Sequence, residues 1–225
     1  FERGREFPEI LQLAEAAGIT ISIVEREIHD SLVGPGLARG VLAVADPPRD
    51  WDFLDLLERE DGPVTRRGHR LIVMCDGVVD PHNLGAILRT AEASGVQGVF
   101  IPERRAVGLT SVVAKASAGA VDYMPVGRVP NLSRLIERLQ GAGIWVYALD
   151  AEAPKPYTAL DFSGPVALVF GGEGTGVRPG VRDACDEAAH IPMMGKVSSL
   201  NVSASAAIVL YEALRQRREG AGKKP

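Results

Sequence analysis

The chain predicts an α/β fold built on a parallel sheet covered by helices. Three observations carry that expectation. Strand-like and helix-like segments alternate from about residue 71 onward. The strand-like runs Leu71–Cys75, Ile144–Leu149 and Val166–Phe170 are apolar nearly throughout, as strands buried on both faces require. Glycines follow the helical runs, with Gly95 after one and Gly141-Ala142-Gly143 after another.

The elements can be taken in order. Ile10, Leu11, Leu13, Ala14 and Ala17 recur at helical spacing, so Pro8–Ala17 reads as a helix stopped by Gly18. Ile19–Val24 and Gly40–Ala45 read as strands. Asp46-Pro47-Pro48 breaks the chain, Trp51–Glu60 suits a short helix, and Asp61-Gly62-Pro63 breaks it again. Leu71–Cys75 is a strand and Leu84–Ser94 a helix. Gly98–Ile101 is a strand, Leu109–Ser117 a helix, and Val121–Pro125 a short strand. Leu132–Gln140 is a helix, followed by strands at Ile144–Leu149 and Val166–Phe170. Pro179–Ala184 is a short helix, Ala188–Ile191 a strand, and Val202–Arg217 a long final helix. Val202, Ala206, Val209, Leu210 and Ala213 stripe that helix at helical spacing.

Composition narrows the class. The 225 residues suit one large domain, or an ordinary domain with a small one. With 46% apolar and 24% charged residues, disorder, collagen and coiled coil are excluded as the main state. No stretch is long and apolar enough for a transmembrane helix, and Phe1-Glu2-Arg3-Gly4-Arg5-Glu6 does not read as a signal peptide. Two cysteines, Cys75 and Cys185, make no disulfide framework and no zinc spacing, so a cytoplasmic setting is expected. The net charge of −4 argues against nucleic acid, but its distribution does not. Residues 1–61 hold 14 acidic and 6 basic side chains, whereas residues 62–225 hold 15 and 19. Basic runs lie at Arg66-Arg67-Gly68-His69-Arg70 and Arg215-Gln216-Arg217-Arg218, with Lys223-Lys224 beyond. Each reads either as a solvated face or as a phosphate-binding surface. The charge change and the breakers place a linker at about 61–68 and a domain boundary between 62 and 63.

In an open parallel sheet, ligands bind at the carboxyl ends of the strands. Three loops there stand out. Asp76-Gly77-Val78-Val79-Asp80-Pro81-His82-Asn83 leads into the helix that carries Arg89. Gly171-Gly172-Glu173-Gly174-Thr175-Gly176 follows a strand. Ile191-Pro192-Met193-Met194-Gly195-Lys196-Val197-Ser198-Ser199-Leu200-Asn201 precedes the last helix. The glycine loop lacks the Lys-Ser/Thr pair of a Walker A loop and the spacing of a dinucleotide fingerprint. It offers unshielded N–H groups around one carboxylate, Glu173, although a plain tight turn would look the same. Each polar residue has a plain structural reading beside the functional one. Asn83, Ser199 or Asn201 could cap helices. Arg89 has Glu92 at i+3 for a surface ion pair. His82 suits a turn, and His29, His69 and His190 have no partner that spacing supplies. Met193-Met194 suits packing. No Gly-x-Ser-x-Gly elbow is present.

Taken together, the segments resemble a known family. Asp76-Gly77-Val78-Val79-Asp80-Pro81-His82-Asn83-Leu84-Gly85-Ala86-Ile87-Leu88-Arg89-Thr90-Ala91 resembles motif 1 of the SpoU (TrmH) RNA ribose methyltransferases, of the SPOUT superfamily. Phe170-Gly171-Gly172-Glu173-Gly174-Thr175-Gly176 resembles motif 2. Ile191-Pro192-Met193 with Ser198-Ser199-Leu200-Asn201-Val202-Ser203 resembles motif 3. Order and spacing match over about 70–225. The detail between motifs is similar to the subgroup that modifies a guanosine of large-subunit (23S) ribosomal RNA.

The resemblance implies a parallel-sheet α/β knot, with residues of roughly 165–217 threaded into a deep C-terminal trefoil, and a homodimer through the last helix. It implies S-adenosylmethionine as cofactor, with Leu149, Gly171, Ile191, Met193 and Leu200 on its pocket, and no metal. It makes Arg89 the catalytic arginine and Asn83, Glu173, Ser199 and Asn201 the other polar site positions. Members of the subgroup carry an N-terminal RNA-binding domain resembling ribosomal protein L30e. Residues 6–46 resemble its later part, without the opening strand and helix. The expected division is therefore 1–62, a partial L30e-like domain and linker, and 63–225, the methyltransferase domain. The implied activity is methyl transfer to a ribose 2′-hydroxyl of RNA. The same chemistry on transfer RNA or another ribosomal nucleotide, an idle RNA-binding module of this fold, and a dinucleotide-binding oxidoreductase stand as alternatives.

Overall fold

The computed structural model describes residues 7–33, 40–44, 51–52, 55 and 70–222. Most of the expected helix at 51–60, the linker and most of the basic run at 66–70 lie outside the described residues. The chain divides into two compact units between Asp46 and Pro47.

The first unit contains helix α1, Pro8–Ala16, and helix α2, Arg26–Val33. The strands expected at 19–24 and 40–44 are absent among the described residues. A strand exists only through a paired neighbour, and none of these residues has a described ladder partner. Their apolar side chains, such as Ile23 and Val44, are exposed.

The second unit is the expected parallel sheet. Its strands are β1 Leu71–Asp76, β2 Gly98–Pro102, β3 Val126–Val129, β4 Trp145–Leu149, β5 Lys155–Pro156, β6 Val166–Gly171 and β7 Glu187–His190. The order is β3-β2-β1-β6-β4-β7-β5, and every pairing is parallel. The helices are α3 Pro81–Ala93, α4 Ser111–Ala116, α5 Leu132–Gly141, α6 Pro179–Arg182 and α7 Val202–Gly222.

Alternation along β1 shows why its sequence is apolar up to the closing Asp76. Leu71, Val73 and Cys75 face one layer, packed with Leu84, Ile87 and Leu88 of α3 and with α7. Ile72 and Met74 face the other, packed with Leu135, Ile136 and Leu139 of α5. A period-2 strand between two helical layers leaves no polar side. All five stripe residues of α7, Val202, Ala206, Val209, Leu210 and Ala213, are buried in this same core. Ile208 and Tyr211 are the large apolar side chains that α7 exposes. Arg217, near the end of α7, is buried. It donates to the carbonyls of Phe162, Gly164 and Arg70 at 2.8–2.9 Å. Burial pulls its guanidinium down to about 10.

One expected strand is displaced. Residues 120–122 form a 3-10 turn, and β3 begins at Val126 rather than Val121. The reason lies in the donors. Ser117 Oγ accepts the Val121 amide at 3.3 Å, and carbonyls 117, 119 and 120 accept the amides of Ala120, Asp122 and Tyr123. No N–H is left over for a ladder until the chain passes Pro125.

Candidate active site

Four strands end side by side. Asp76 is in register with Gly171, Phe170 with Leu149, and Leu149 with Ala189. The loops leaving β1, β6, β4 and β7 therefore share one rim, on the carboxyl edge of the sheet. β6 lies between β1 and β4, where the strand order changes direction, the usual position of a ligand site.

The first loop enters α3 through Asp80. Asp80 Oδ1 accepts the amide of His82 at 2.8 Å, and Pro81 opens the helix. Asn83 is thus not the cap. Its side chain is buried and reaches across the fold instead. Nδ2 donates to Glu173 Oε1 on the glycine loop, and Oδ1 accepts from Asn201 Nδ2 at 2.9 Å. Asn201 does cap α7: its Oδ1 accepts from Ser203 N at 2.9 Å and Ser203 Oγ at 2.6 Å. Asn83 thus joins residues 90 and 118 positions away, and the three loops meet in one hydrogen-bond network.

The glycine loop is fastened at both ends to Asp76. The Gly172 amide donates to the Asp76 carbonyl at 2.8 Å. A Cβ on Gly172 would overlap the carbonyl of Gly77, and one on Gly171 would overlap Gly176. Close backbone approach therefore requires glycine at both positions. Past the loop, Arg178 clasps the Asp76 carboxylate through its backbone N at 2.9 Å, Nε at 2.8 Å and a terminal nitrogen at 2.6 Å. That carboxylate is 1% exposed and raises the Arg178 pKa. Asp76 and Arg178 do not figure among the site residues expected from sequence. The signal present was an acid closing an apolar strand and an arginine just beyond the last loop glycine. A second ion pair, Arg182 to Asp150 at 3.1 Å, ties α6 to the end of β4.

The other expected residues fall as follows. Leu149, Gly171 and Ile191 sit at neighbouring strand ends and are half-buried, as is Met193 on the third loop. Leu200 is on the same loop and more open. The main-chain amides of Met193 and Leu200 donate no hydrogen bond among the described residues, so this loop offers donors to a polar ligand. Met194 is 97% exposed, against the packing reading. Ser199 is exposed and outside the network. Arg89 is exposed on α3, and the ion pair with Glu92 does not form; it has no partner among the described residues. His190 Nδ1 donates to the Ala153 carbonyl at 2.8 Å, a structural tie. Cys75 is fully buried, and burial with the nearby Asp76 and Glu173 charges pushes its thiol up to about 12. Burial does the same to Cys185. Among the described residues no group of His, Cys, Asp and Glu could hold a metal ion.

The rim thus combines open main-chain donors with a carboxylate held in an amide network, and α3, which starts there, carries the exposed Arg89 two turns further on. Comparison with known proteins gives the arrangement a family. The model of the SpoU rRNA Methylase family matches residues 70–211. The 23S rRNA (guanosine-2'-O-)-methyltransferase RlmB of Xylella fastidiosa (strain 9a5c) is 43% identical over 219 residues, 96% of this chain and 87% of that protein. The Pseudomonas aeruginosa protein of the same name is 42% identical over 219 residues, 95% of this chain and 86% of that one. Among solved structures, the SpoU methyltransferase AviRb from Streptomyces viridochromogenes with AdoMet superposes with a TM-score of 0.64 at 32% identity, over 69% of this chain and 60% of that one. The AdoMet-bound rRNA methyltransferase from Sinorhizobium meliloti has a TM-score of 0.73 at 25% identity, over 92% of this chain and 77% of that one. On the matched domain, the identity and the coverage together, this chain belongs to the SpoU rRNA methylase family.

Proposed function

We propose that this protein transfers a methyl group from S-adenosylmethionine to the ribose 2′-hydroxyl of a guanosine in 23S ribosomal RNA. The observation that carries the reading is the Glu173–Asn83–Asn201 network, which draws the three family motifs into one site on the sheet rim. Relatives that bear this activity in their names, at over 40% identity, support the substrate.

The residues present fit the cofactor. Leu149, Gly171, Ile191, Met193 and Leu200 would hold it, the last two through their open amides. When bound, S-adenosylmethionine supplies an electrophilic methyl on a sulfonium. Holding that methyl and the hydroxyl in line can itself remove roughly 7–11 kcal/mol of barrier. Arg89 grips a phosphate of the target strand. An arginine side chain is a poor general base, but its planar fork suits phosphate oxygens. A cation at that phosphate favours loss of the neighbouring hydroxyl proton. Asn83, Glu173 and Asn201 fix the loops around the reacting atoms, and the exposed Ser199 contacts RNA or the methionine end of the cofactor.

The protein acts as a homodimer in the cytoplasm, with the exposed Ile208 and Tyr211 of α7 in the interface, since the apolar stripe itself is used in the protomer core. The chain from β6 through α7 forms the trefoil knot; insertion of β6 between β1 and β4 supports that path. The first unit is an L30e-like RNA-binding module. The test of the activity is substitution of the target nucleotide by its 2′-deoxy form, which should abolish methyl acceptance and leave binding largely intact. Methyl transfer to the base of the deoxy substrate would overturn it.

A further inference from the structure

The loop after β2, residues 103–110, takes no part in the site described above, yet it is built against it. The Val107 amide donates to the Val78 carbonyl at 3.1 Å. The Arg105 carbonyl lies 3.9 Å from the position a Cβ would occupy on Gly77. Gly172 of the glycine loop packs on the carbonyl of the same Gly77. The motif 1 turn is therefore in contact with both the glycine loop and the loop of Arg104 and Arg105. Both arginines are exposed, with no hydrogen bond or ion pair among the described residues. Glu103 is the one carboxylate in 103–110. Arg105 also has φ 63°, in the left-handed region where glycine or asparagine is the ordinary choice. A loop that only had to turn would not need arginine there. Backbone outliers of this kind cluster at active sites and ligand clamps.

We propose that Arg104 and Arg105 form an RNA phosphate-contact surface beside the active site, which grips the backbone of the substrate strand away from the reacting nucleotide. The inference rests on the reading of the protein as an RNA ribose methyltransferase. It adds a second grip to the one assigned to Arg89, on a separate loop. Such a contact carries affinity and register, not base identity.

The test uses the full chain and an unmethylated in vitro transcript of 23S rRNA. In the double variant Arg104→Gln with Arg105→Asn, the asparagine tolerates the left-handed backbone. Its Kd for the transcript should rise about tenfold or more at 0.1 M salt, and the slope of log K against log salt should fall by about 1.4 for two lost contacts to a single strand. The KM for RNA should rise while the maximal rate at saturating RNA and the S-adenosylmethionine affinity stay within about twofold. Arg104→Lys with Arg105→Lys should restore most of the affinity. If the double variant fails to bind cofactor, the single variant Arg104→Gln, at an ordinary backbone position, is read instead, with half the loss of slope. Unchanged RNA affinity and slope in a cofactor-binding variant of an active enzyme overturns the proposal alone. A wild type that binds cofactor but does not methylate the transcript overturns both it and the functional reading.

Discussion

Arg89 carries the sharpest expectation at the scale of single residues. It is exposed, unpaired among the described residues, and outside the network that ties the loops together. Arg89→Ala should abolish methyl transfer while S-adenosylmethionine affinity, measured by calorimetry, stays within a few-fold. Wild-type turnover in the variant would remove its role. The cysteines give a second expectation. Raised pKa values mean protonated thiols below about pH 12. The thiolate, the reactive form, is scarce for both at pH 8. A thiol reagent at pH 8 should therefore modify the native protein far more slowly than the unfolded chain. Labelling that saturates within minutes under native conditions would contradict the burial described for Cys75.

At the scale of elements, the glycine loop and the last helix are each held by one arginine. Arg178→Ala leaves the buried Asp76 carboxylate with only the backbone amide of its clasp. Arg178 is partly exposed, so the expected loss is about 1–3 kcal/mol rather than the full cost of an orphaned buried charge. Cofactor affinity should fall with it, because the loop carrying Glu173 hangs from that clasp. Arg217→Met removes donors from three carbonyls under α7 and should destabilise the unit by about 2–4 kcal/mol in urea unfolding. A change below about 0.5 kcal/mol in either variant would contradict the structure. These elements also mark how far sequence reading reaches. Strands such as Leu71–Asp76 are legible because burial on both faces leaves a continuous apolar run. The start of α3 was readable from Asp80-Pro81, a cap followed by a preorganised first turn, yet the helical pattern alone suggests a start three residues later. The strand at Val126 was not readable, because the Ser117 hydroxyl and the carbonyls of a 3-10 turn take up the preceding amides. The meeting of Asn83 with Glu173 and Asn201 spans 90 and 118 residues, which no local pattern encodes. Only the likeness of the three segments to known motifs suggested that they belong together. Asp76 opens motif 1 and Arg178 lies just past motif 2, but their bond to each other spans 102 residues and was not suggested by either segment.

The whole molecule divides between Asp46 and Pro47, and Trp51 of the second unit donates its amide to Val126 on the edge strand β3. A fragment of residues 47–225 should therefore fold, dimerise and bind S-adenosylmethionine, but bind RNA more weakly than the full chain. A stable monomer in light scattering at micromolar concentration would count against α7 as the interface. The parallel sheet, the rim at its switch point and the network across three loops converge on one reaction. The most direct measurement is nucleoside mass spectrometry of an unmethylated 23S rRNA transcript after incubation with the full chain and isotope-labelled S-adenosylmethionine. The expected product is 2′-O-methylguanosine at a single position, one label per transcript and none with Arg89→Ala. Label on a base, or none on a ribose while the protein binds its cofactor, would contradict the account.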